Sequence, residues 1–309
     1  MILFVGIPSE PPIAMAIKSA EKKKNPFVVF NQRHAHFYEL MIKMKEGKLT
    51  GILRIEGRDY PLEQFTGVYF RLMQPEMLPE FKENVFHKIS IKDMNKSKII
   101  QNQLLKWIES CSARVLNLGS SSISNISKPY QSQLIARCGF KVPPTLVTSD
   151  MEEVIEFLKI ENEIIFKSIS GIRSIVKKFE GQHLLKLKNL KYLPVQFQKK
   201  LLGRNIRVHV VGKFVFPTLI DSVSVDYRYS EEENAETILS KYTLPKTIIN
   251  SCLALSQSLK LPLCGIDLFE TETGEYYCFE VNPSPGYSYY QGHTGQNISG
   301  AIIKYLING

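Results

Sequence analysis

The chain has 309 residues, which is long for a single hydrophobic core and predicts two or three lobes. Its 44% hydrophobic and 22% charged residues are ordinary for a globular protein. No apolar run reaches the length of a membrane-spanning helix, and the start of the chain lacks the basic region and cleavage site of a signal peptide. We therefore expect a cytoplasmic protein with no membrane partner.

The net charge of +9 favours a solvated basic surface, because the lysine-rich stretches are short and interspersed with apolar residues. An anionic small substrate or an acidic peptide is the alternative. A nucleic-acid partner is disfavoured, since no aromatic and basic RNA-binding motif is present. The five cysteines are scattered without a CxxC spacing, so neither a zinc site nor a disulfide framework is expected. The sequence does not exclude a homodimer.

The first part of the chain alternates short apolar runs with a helical pattern. Apolar runs at Ile2–Gly6 and Phe27–Phe30 flank a helical spacing at Ile13–Glu21. This arrangement predicts a βαβ unit, and hence a parallel sheet covered by helices. A hairpin and one more strand follow at Gly51–Ile55, Asp59–Leu62 and Gly67–Phe70. We expect this first lobe to end at residue 118.

The rest of the chain predicts an α+β region with antiparallel hairpins. A helix at Lys128–Cys138 ends at Gly139, and Asp150 with Glu153 predicts a capping box for a helix at Met151–Leu158. Strands are predicted at Ile164–Ile169, Ser174–Phe179, Val195–Gln198, Ile206–Val211 and Phe214–Ile220. The later helices are predicted at Pro245–Leu259 and Ile298–Ile307.

The strongest chemical signal is a hairpin near the end of the chain. A two-residue turn at Thr273-Gly274 would place Asp267 directly opposite Glu280, and strand alternation puts Asn282 on the same face. Facing carboxylates should repel unless a cation lies between them, and Asp, Glu and Asn oxygens are the ligands that Mg²⁺ prefers. The hairpin therefore predicts a Mg²⁺ site. An ordinary exposed hairpin with incidental acids is the alternative.

Several motifs resemble those of one enzyme superfamily. Asp267-Leu268 with Phe279–Gly286 resembles the C-terminal metal hairpin of ATP-grasp enzymes, particularly of their RimK-like branch. Gly203–Gly212 is similar to that family's strand bearing an arginine beside the nucleotide phosphates. Ile164–Lys167 followed by Ser170-Gly171 is similar to its lysine strand and small-residue loop. The resemblance covers residues 115–309, and the N-terminal lobe agrees with it by topology only.

The resemblance implies an ATP-grasp fold of mixed α/β and α+β character. Its three expected parts are a pre-ATP-grasp N-terminal domain at 1–118, a middle lid subdomain at 119–200 and a C-terminal subdomain with the Mg²⁺ site at 201–309. ATP would lie between the middle and C-terminal lobes.

The resemblance also implies roles for individual residues. The expected metal ligands are Asp267, Glu280 and Asn282, holding two Mg²⁺ ions, with Mn²⁺ as an alternative. The residues expected to hold ATP are Lys128, Lys167, Ser170, Gly171, Gln198 and Lys200. The lysines would act as point charges on the phosphates, and the small-residue loop would offer backbone N–H groups.

Arg207 is the expected catalytic residue. It shares a strand face with His209 while Ile206 lies on the other face, so the apolar side can pack and the arginine can point into a cleft. A fixed guanidinium there would stabilise charge on the transferred phosphoryl group or on the activated carboxylate. The family commonly has acidic residues where this chain has Lys199 and Asn205, which affects ribose recognition first.

Three residues are expected to contact a carboxylate substrate: Arg71, Arg228 and Ser284. Arg71 follows an apolar strand, and Ser284 belongs to the hairpin motif. Three tyrosines after the metal hairpin either wall the acceptor site or pack onto the body of the protein: Tyr287, Tyr289 and Tyr290. His293 has no partner that the sequence reveals.

These features predict an ATP-dependent carboxylate–amine or carboxylate–thiol ligase that works through an acyl phosphate. Its partners would be small-molecule or peptide carboxylates and amines, so that it joins an amino acid or modifies a peptide. One alternative is a kinase on the same fold, because inositol phosphate kinases end in a related hairpin and the charge of +9 suits a polyphosphate. A nucleotide-binding module without turnover is the other alternative, prompted by Lys199 and Asn205.

Overall fold

The structure is a computed structural model that describes residues 1–81, 90–169, 176–222 and 237–308. Its strands are β1 Ile2–Gly6, β2 Phe27–Asn31, β3 Glu39–Lys45, β4 Lys48–Ile55, β5 Arg58–Pro61, β6 Gly67–Arg71, β7 Arg114–Leu116, β8 Thr145–Thr148, β9 Ile164–Ser168, β10 Lys177–Lys178, β11 Val195–Lys199, β12 Gly203–Val211, β13 Phe214–Ser222, β14 Thr237–Lys241, β15 Leu263–Thr271 and β16 Tyr276–Asn282. Its α-helices are α1 Pro11–Lys22, α2 Ile91–Ser110, α3 Lys128–Arg137, α4 Met151–Glu161, α5 Gly181–Leu184, α6 Lys246–Ser258, α7 Tyr287–Thr294 and α8 Ile298–Asn308. None of the helices in these four ranges combines the length and the apolar character needed to span a bilayer.

A parallel sheet forms the centre of the N-terminal lobe, in the strand order β2-β1-β6-β7. Every residue of β1 is buried, as expected for a parallel strand covered on both faces. Ile13 of α1 packs against one face, and Leu104 and Trp107 of α2 pack against the other. The predicted βαβ unit at the start of the chain is confirmed.

A small antiparallel sheet, β3-β4-β5, extends this lobe. The predicted hairpin is present, but β4 begins earlier, at Lys48, and β3 is a strand that the sequence analysis missed. Helix α2 was not predicted either, although the Ser90 hydroxyl caps this helix by accepting from the Asp93 N–H at 3.1 Å. The buried face of α2 includes the polar side chains of Ser97 and Gln101, which weakens its helical apolar pattern.

The middle lobe is an antiparallel sheet in the order β10-β9-β11-β8 with its own core. Val154 of α4 packs there against the sheet. Asp150 caps α4 by accepting from the Glu152 N–H at 2.7 Å. The predicted capping box is wrong in its second half, because Glu153 accepts a hydrogen bond from the Thr148 hydroxyl and does not bond the Asp150 N–H.

The C-terminal lobe is an antiparallel sheet in the order β14-β13-β12-β15-β16. One face packs against α6 and α3 through apolar residues such as Val208 and Leu255. Against the other face lies α8, whose Ile302 and Leu306 share a core with β1 of the N-terminal sheet. The first and third lobes are therefore joined by a common core, which fixes the polar residues at their junction.

The register of the metal hairpin agrees with the prediction at Asp267 and Glu280, but for a different reason. The turn holds three residues, because the Thr271 N–H donates to the Glu275 carbonyl. That turn alone would place Asp267 opposite Phe279. A bulge between Asp267 and Leu268 shifts the pairing by one residue and brings Asp267 opposite Glu280.

Candidate functional site

Two rows of residues cross one face of the C-terminal sheet. Strand pairing aligns Arg207 of β12 with Asp267 of β15 and Glu280 of β16. The neighbouring row, two residues along each strand, consists of His209, Gly265 and Asn282. Because strand side chains alternate, both rows lie on the same face of the sheet. The predicted catalytic arginine and the three predicted metal ligands therefore come together.

Each carboxylate of the first row has a basic partner. Arg207 Nη1 donates to Asp267 Oδ1 at 2.5 Å, and Lys128 from the start of α3 forms an ion pair with Glu280. The Asp267 and Glu280 side chains are 23% and 24% exposed, so solvent screens these pairs only partly. The expectation that the carboxylates repel each other is wrong for this structure, because each negative charge is neutralised by its own cation.

The surroundings of Glu280 keep its carboxyl ionised. Burial acts to raise the pKa of Glu280, but Lys128, with Lys167 and Arg207, outweighs burial and holds this pKa below its usual value. Lys167 belongs to β9 of the middle lobe, so charges of two different lobes act on this carboxyl group. The positive charges of the three predicted basic residues thus all favour the ionised form of Glu280.

Arg207 is held on several sides. It is 6% exposed, and the Tyr290 ring covers its guanidinium at 5.8 Å. The same ring packs on His209 at 4.8 Å between centroids. Burial, with the nearby Arg207 charge, lowers the pKa of His209 well below its usual value, so this ring is neutral. Tyr290 therefore packs over the arginine strand.

The other two tyrosines also have local partners. The Tyr287 hydroxyl donates to the Pro12 carbonyl at 2.5 Å, and its side chain is fully buried. Tyr289 is half exposed and packs on the His293 ring at 4.4 Å between centroids. His293 Nδ1 also lies 2.8 Å from the Tyr289 carbonyl, so the contacts of this histidine lie within its own helix.

Gln131 supports the metal hairpin, and the sequence analysis missed it. Its side-chain Nε2 donates to the Val281 carbonyl at 2.9 Å, and its Oε1 accepts from the Val281 N–H at 3.0 Å. This amide thereby provides hydrogen-bond partners for the backbone N–H and C=O of Val281, which lies between Glu280 and Asn282 at the edge of β16. Gln131 follows Lys128 by three residues and so lies on the same face of α3, which is the signal that could have identified it.

Asn117 performs a similar role at the lobe junction. Its Nδ2 donates to the Leu263 carbonyl at 2.5 Å and to the Pro283 carbonyl at 2.6 Å, and its Oδ1 accepts from the Leu263 N–H at 3.0 Å. One buried amide thus connects the end of β7 with the start of β15 and with the residue after Asn282. No sequence motif pointed to it.

Arg71 and Ser284 meet at this junction. Arg71 Nη1 donates to the Ser284 hydroxyl at 2.8 Å and to the Pro285 carbonyl at 3.2 Å, while Nε donates to Glu10 at 2.8 Å. Both residues line a cavity of about 170 Å³ together with Asn117 and Pro283. Two of the predicted substrate residues are therefore neighbours, although the guanidinium already has internal partners.

The predicted adenine segment lies on β11 of the middle lobe. Gln198 is buried and donates to the Thr145 hydroxyl at 3.0 Å. Lys199 pairs with Glu161 at 3.1 Å and Lys200 with Glu163 at 3.3 Å. Both lysine side chains thus form ion pairs with acidic residues at, or just after, the C-terminal end of α4. Ser170, Gly171 and Arg228 lie outside the described residues.

The donor set suits a hard divalent cation. Asp267 and Glu280 supply carboxylates, and Asn282 Oδ1 accepts from the Ser284 N–H at 2.9 Å while keeping a second lone pair. In the four described ranges, no cluster of three His, Cys, Asp or Glu side chains offers a different metal site. An all-oxygen set of two acids and one amide fits Mg²⁺ bound jointly with phosphate oxygens.

The fold and these two rows define the ATP-grasp class of protein, in which an acidic hairpin faces basic residues of a middle lobe. The family model of the RimK-like ATP-grasp domain matches residues 126–306, which is more than half of the chain. The chain belongs to this family.

Two curated relatives show distant similarity to the chain. Beta-citrylglutamate synthase B of Homo sapiens is 23% identical over 65% of this chain and 55% of its own length. A protein of Psychromonas ingrahamii named "Probable alpha-L-glutamate ligase" is 25% identical over 56% of this chain and 60% of its own length. The chain thus spans little more than half of these relatives.

The structural likeness covers nearly the whole chain. A RiPP-associated ATP-grasp ligase of Chryseobacterium gregarium, solved with ADP and a leader and core peptide, has a TM-score of 0.79 at 24% identity. It covers 99% of this chain and 96% of its own. This similarity confirms the ATP-grasp fold, including the N-terminal lobe that was predicted from topology alone.

Proposed function

We propose that this protein is an ATP- and Mg²⁺-dependent ligase that activates a carboxylate as an acyl phosphate and joins it to an amine. The observation that carries the proposal is the convergence of Lys128, Lys167 and Arg207 on the carboxylates of Asp267 and Glu280. Alternating positive and negative groups at a partly buried site suit a nucleotide triphosphate with its metal.

Different residues bind the phosphates, the adenine and the metal in this proposal. Lys128 and Lys167 bind phosphates as point charges, and Ser170 and Gly171 approach them with backbone groups. Gln198 and Lys200 lie beside the adenine. The metal ligands are Asp267, Glu280 and Asn282. Bound Mg²⁺ supplies Lewis-acid stabilisation of the phosphoryl charge.

The proposed reaction proceeds in two steps. A carboxylate oxygen attacks the γ-phosphorus of ATP, and ADP leaves. An amine then attacks the acyl carbon, forming the C–N bond as inorganic phosphate departs and the nitrogen loses a proton. Arg207 stabilises the charge that develops in the first step, because its guanidinium is fixed before the reaction begins.

The carboxylate substrate binds near the junction of the first and third lobes in this proposal. Arg71 and Ser284 line the cavity beside the hairpin, and we assign Arg228 to the same substrate. The names of the curated relatives contain glutamate, whereas the similar solved ligase holds a leader and core peptide. We therefore propose glutamate, free or within a peptide, as the first substrate class to test.

Three further features belong to the same proposal. The lobes are 1–118, 119–200 and 201–309, with ATP between the second and third, and α3 of the second lobe packs on the third. Two Mg²⁺ ions act together in this proposal, with Mn²⁺ as an alternative metal. The protein works in the cytoplasm, where ATP is supplied, as a monomer or homodimer.

The test is a screen for substrate-dependent ADP release. Mg²⁺-ATP is combined with free glutamate or with peptides containing Asp or Glu, and hydroxylamine is added to trap an acyl phosphate as a hydroxamate. We expect ADP and hydroxamate to form together. ADP formed with a phosphorylated alcohol and no hydroxamate would indicate a kinase, and ATP binding without ADP release would indicate a binding module. Either result overturns the ligase proposal.

A further inference from the structure

Gly265 occupies the centre of the second row of the site. It pairs with His209 on one side and Asn282 on the other, and Arg207 is its diagonal neighbour. A Cβ atom at Gly265 would come within 2.5 Å of Arg207 Cζ and 2.7 Å of Arg207 Nε. Real contacts of this kind lie beyond 3 Å, so a side chain at this position and the guanidinium exclude each other.

The backbone does not explain this glycine. Gly265 is absent from the residues with positive φ among those described, so its conformation is open to other residues. A glycine inside a strand weakens it and often marks a close approach of another group. Here the approaching group is the guanidinium of Arg207, which lies across the bare backbone.

Three features enclose that guanidinium. Asp267 Oδ1 accepts from its Nη1 at 2.5 Å, the Tyr290 ring covers it at 5.8 Å, and Gly265 forms the floor. Asp267 and Tyr290 attract the charge, but only the missing side chain leaves room for it. The space between Asp267, Tyr290 and the Gly265 backbone therefore determines the position of the positive charge relative to the acidic hairpin.

We propose that Gly265 is a positioning residue, whose lack of a side chain sets the place of the Arg207 guanidinium beside Asp267. This inference rests on the proposed catalytic role of Arg207. It predicts that one added methyl group moves the charge away from the hairpin while the fold persists. The atoms that the methyl group meets belong to the end of a flexible side chain, which can move more easily than backbone.

The test combines Gly265→Ala with three readouts. The variant is expected to fold, to bind Mg²⁺-ATP with a Kd within about threefold of wild type, and to lose on the order of 100-fold in kcat, as when one transition-state donor is removed. In the Arg207→Ala background, Gly265→Ala should cause no further loss, because the group that it displaces is already gone. Gly292→Ala is the matched control, since this helical glycine has nothing within 4 Å of its Cβ position.

Crystallography of Gly265→Ala separates this inference from the ligase proposal. We expect the contact between Arg207 Nη1 and Asp267 Oδ1 to be broken, whether or not wild type releases ADP. An unchanged contact overturns the inference, and so does a kcat loss that adds fully to that of Arg207→Ala. An inactive wild type overturns the ligase proposal alone.

Discussion

The Glu280→Gln substitution separates two accounts of the metal hairpin. Mutual repulsion of the acids would make this variant more stable than wild type. The structure instead pairs Glu280 with Lys128, at 24% and 20% side-chain exposure, so the substitution removes the charge opposite a partly buried lysine. Glutamine can still accept a hydrogen bond there. We therefore expect a loss and not a gain of stability.

The size of the loss follows from the burial of the pair. Exposed ion pairs contribute about 0–1 kcal/mol, and breaking a buried pair costs about 3–5 kcal/mol. Because the pair is partly exposed and keeps a hydrogen bond, we expect a loss of about 1–2 kcal/mol in the free energy of unfolding, or roughly 1.5–3 °C in Tm. Mg²⁺-ATP binding should weaken and turnover should fall by at least about 100-fold, because an amide holds a hard cation less well than a carboxylate.

Thermal unfolding without metal and ADP release with Mg²⁺-ATP measure the two effects. Glu275→Gln is the matched control, because Glu275 forms an exposed pair with Lys141 at the tip of the same hairpin. We expect this control to match wild type in both assays. A Glu280→Gln variant with raised Tm would refute the ion-pair argument. Unchanged Mg²⁺-dependent ADP release would remove Glu280 from the metal site.

The remaining predictions concern three other contacts of the site. Arg207→Ala should keep Mg²⁺-ATP affinity but lose about 100- to 1,000-fold in kcat, and an unchanged kcat would exclude it from the mechanism. Arg71→Ala should raise KM for the carboxylate substrate, and an effect on ATP alone would contradict that role. Gln131→Ala should lower stability by about 2–4 kcal/mol, because two buried backbone groups of Val281 lose their partners. Gln182→Ala, at an exposed glutamine, is the control for unfolding.

The metal hairpin was predicted only in part from the sequence. Strand alternation was sufficient to place Glu280 and Asn282 on one face of β16. The turn length was wrong, and a bulge that no local signal marks compensated for it. The agreement at Asp267 and Glu280 therefore depended on the bulge as well as on the pattern.

Tertiary partners account for most of what the sequence did not reveal. Repulsion between Asp267 and Glu280 is offset because Lys128, 152 residues before Glu280 in the chain, pairs with the Glu280 carboxylate. Asn117 and Gly265 have no motif of their own, and their importance depends on which strands become neighbours. Helix α2 was missed because its buried face mixes apolar residues with Ser97 and Gln101. None of the residues 39–44 of β3 is buried, so this strand has no buried apolar face for a sequence pattern to reveal.

The most direct test of the central claim follows an oxygen atom. A carboxylate substrate found in the ADP-release screen, free glutamate or a peptide carrying it, is labelled with ¹⁸O in its carboxyl group and incubated with Mg²⁺-ATP and the amine. Activation as an acyl phosphate predicts that the inorganic phosphate released with ADP carries one ¹⁸O atom from the carboxylate. Phosphate without the label would show that ATP is hydrolysed without activating the carboxylate, and would contradict the account.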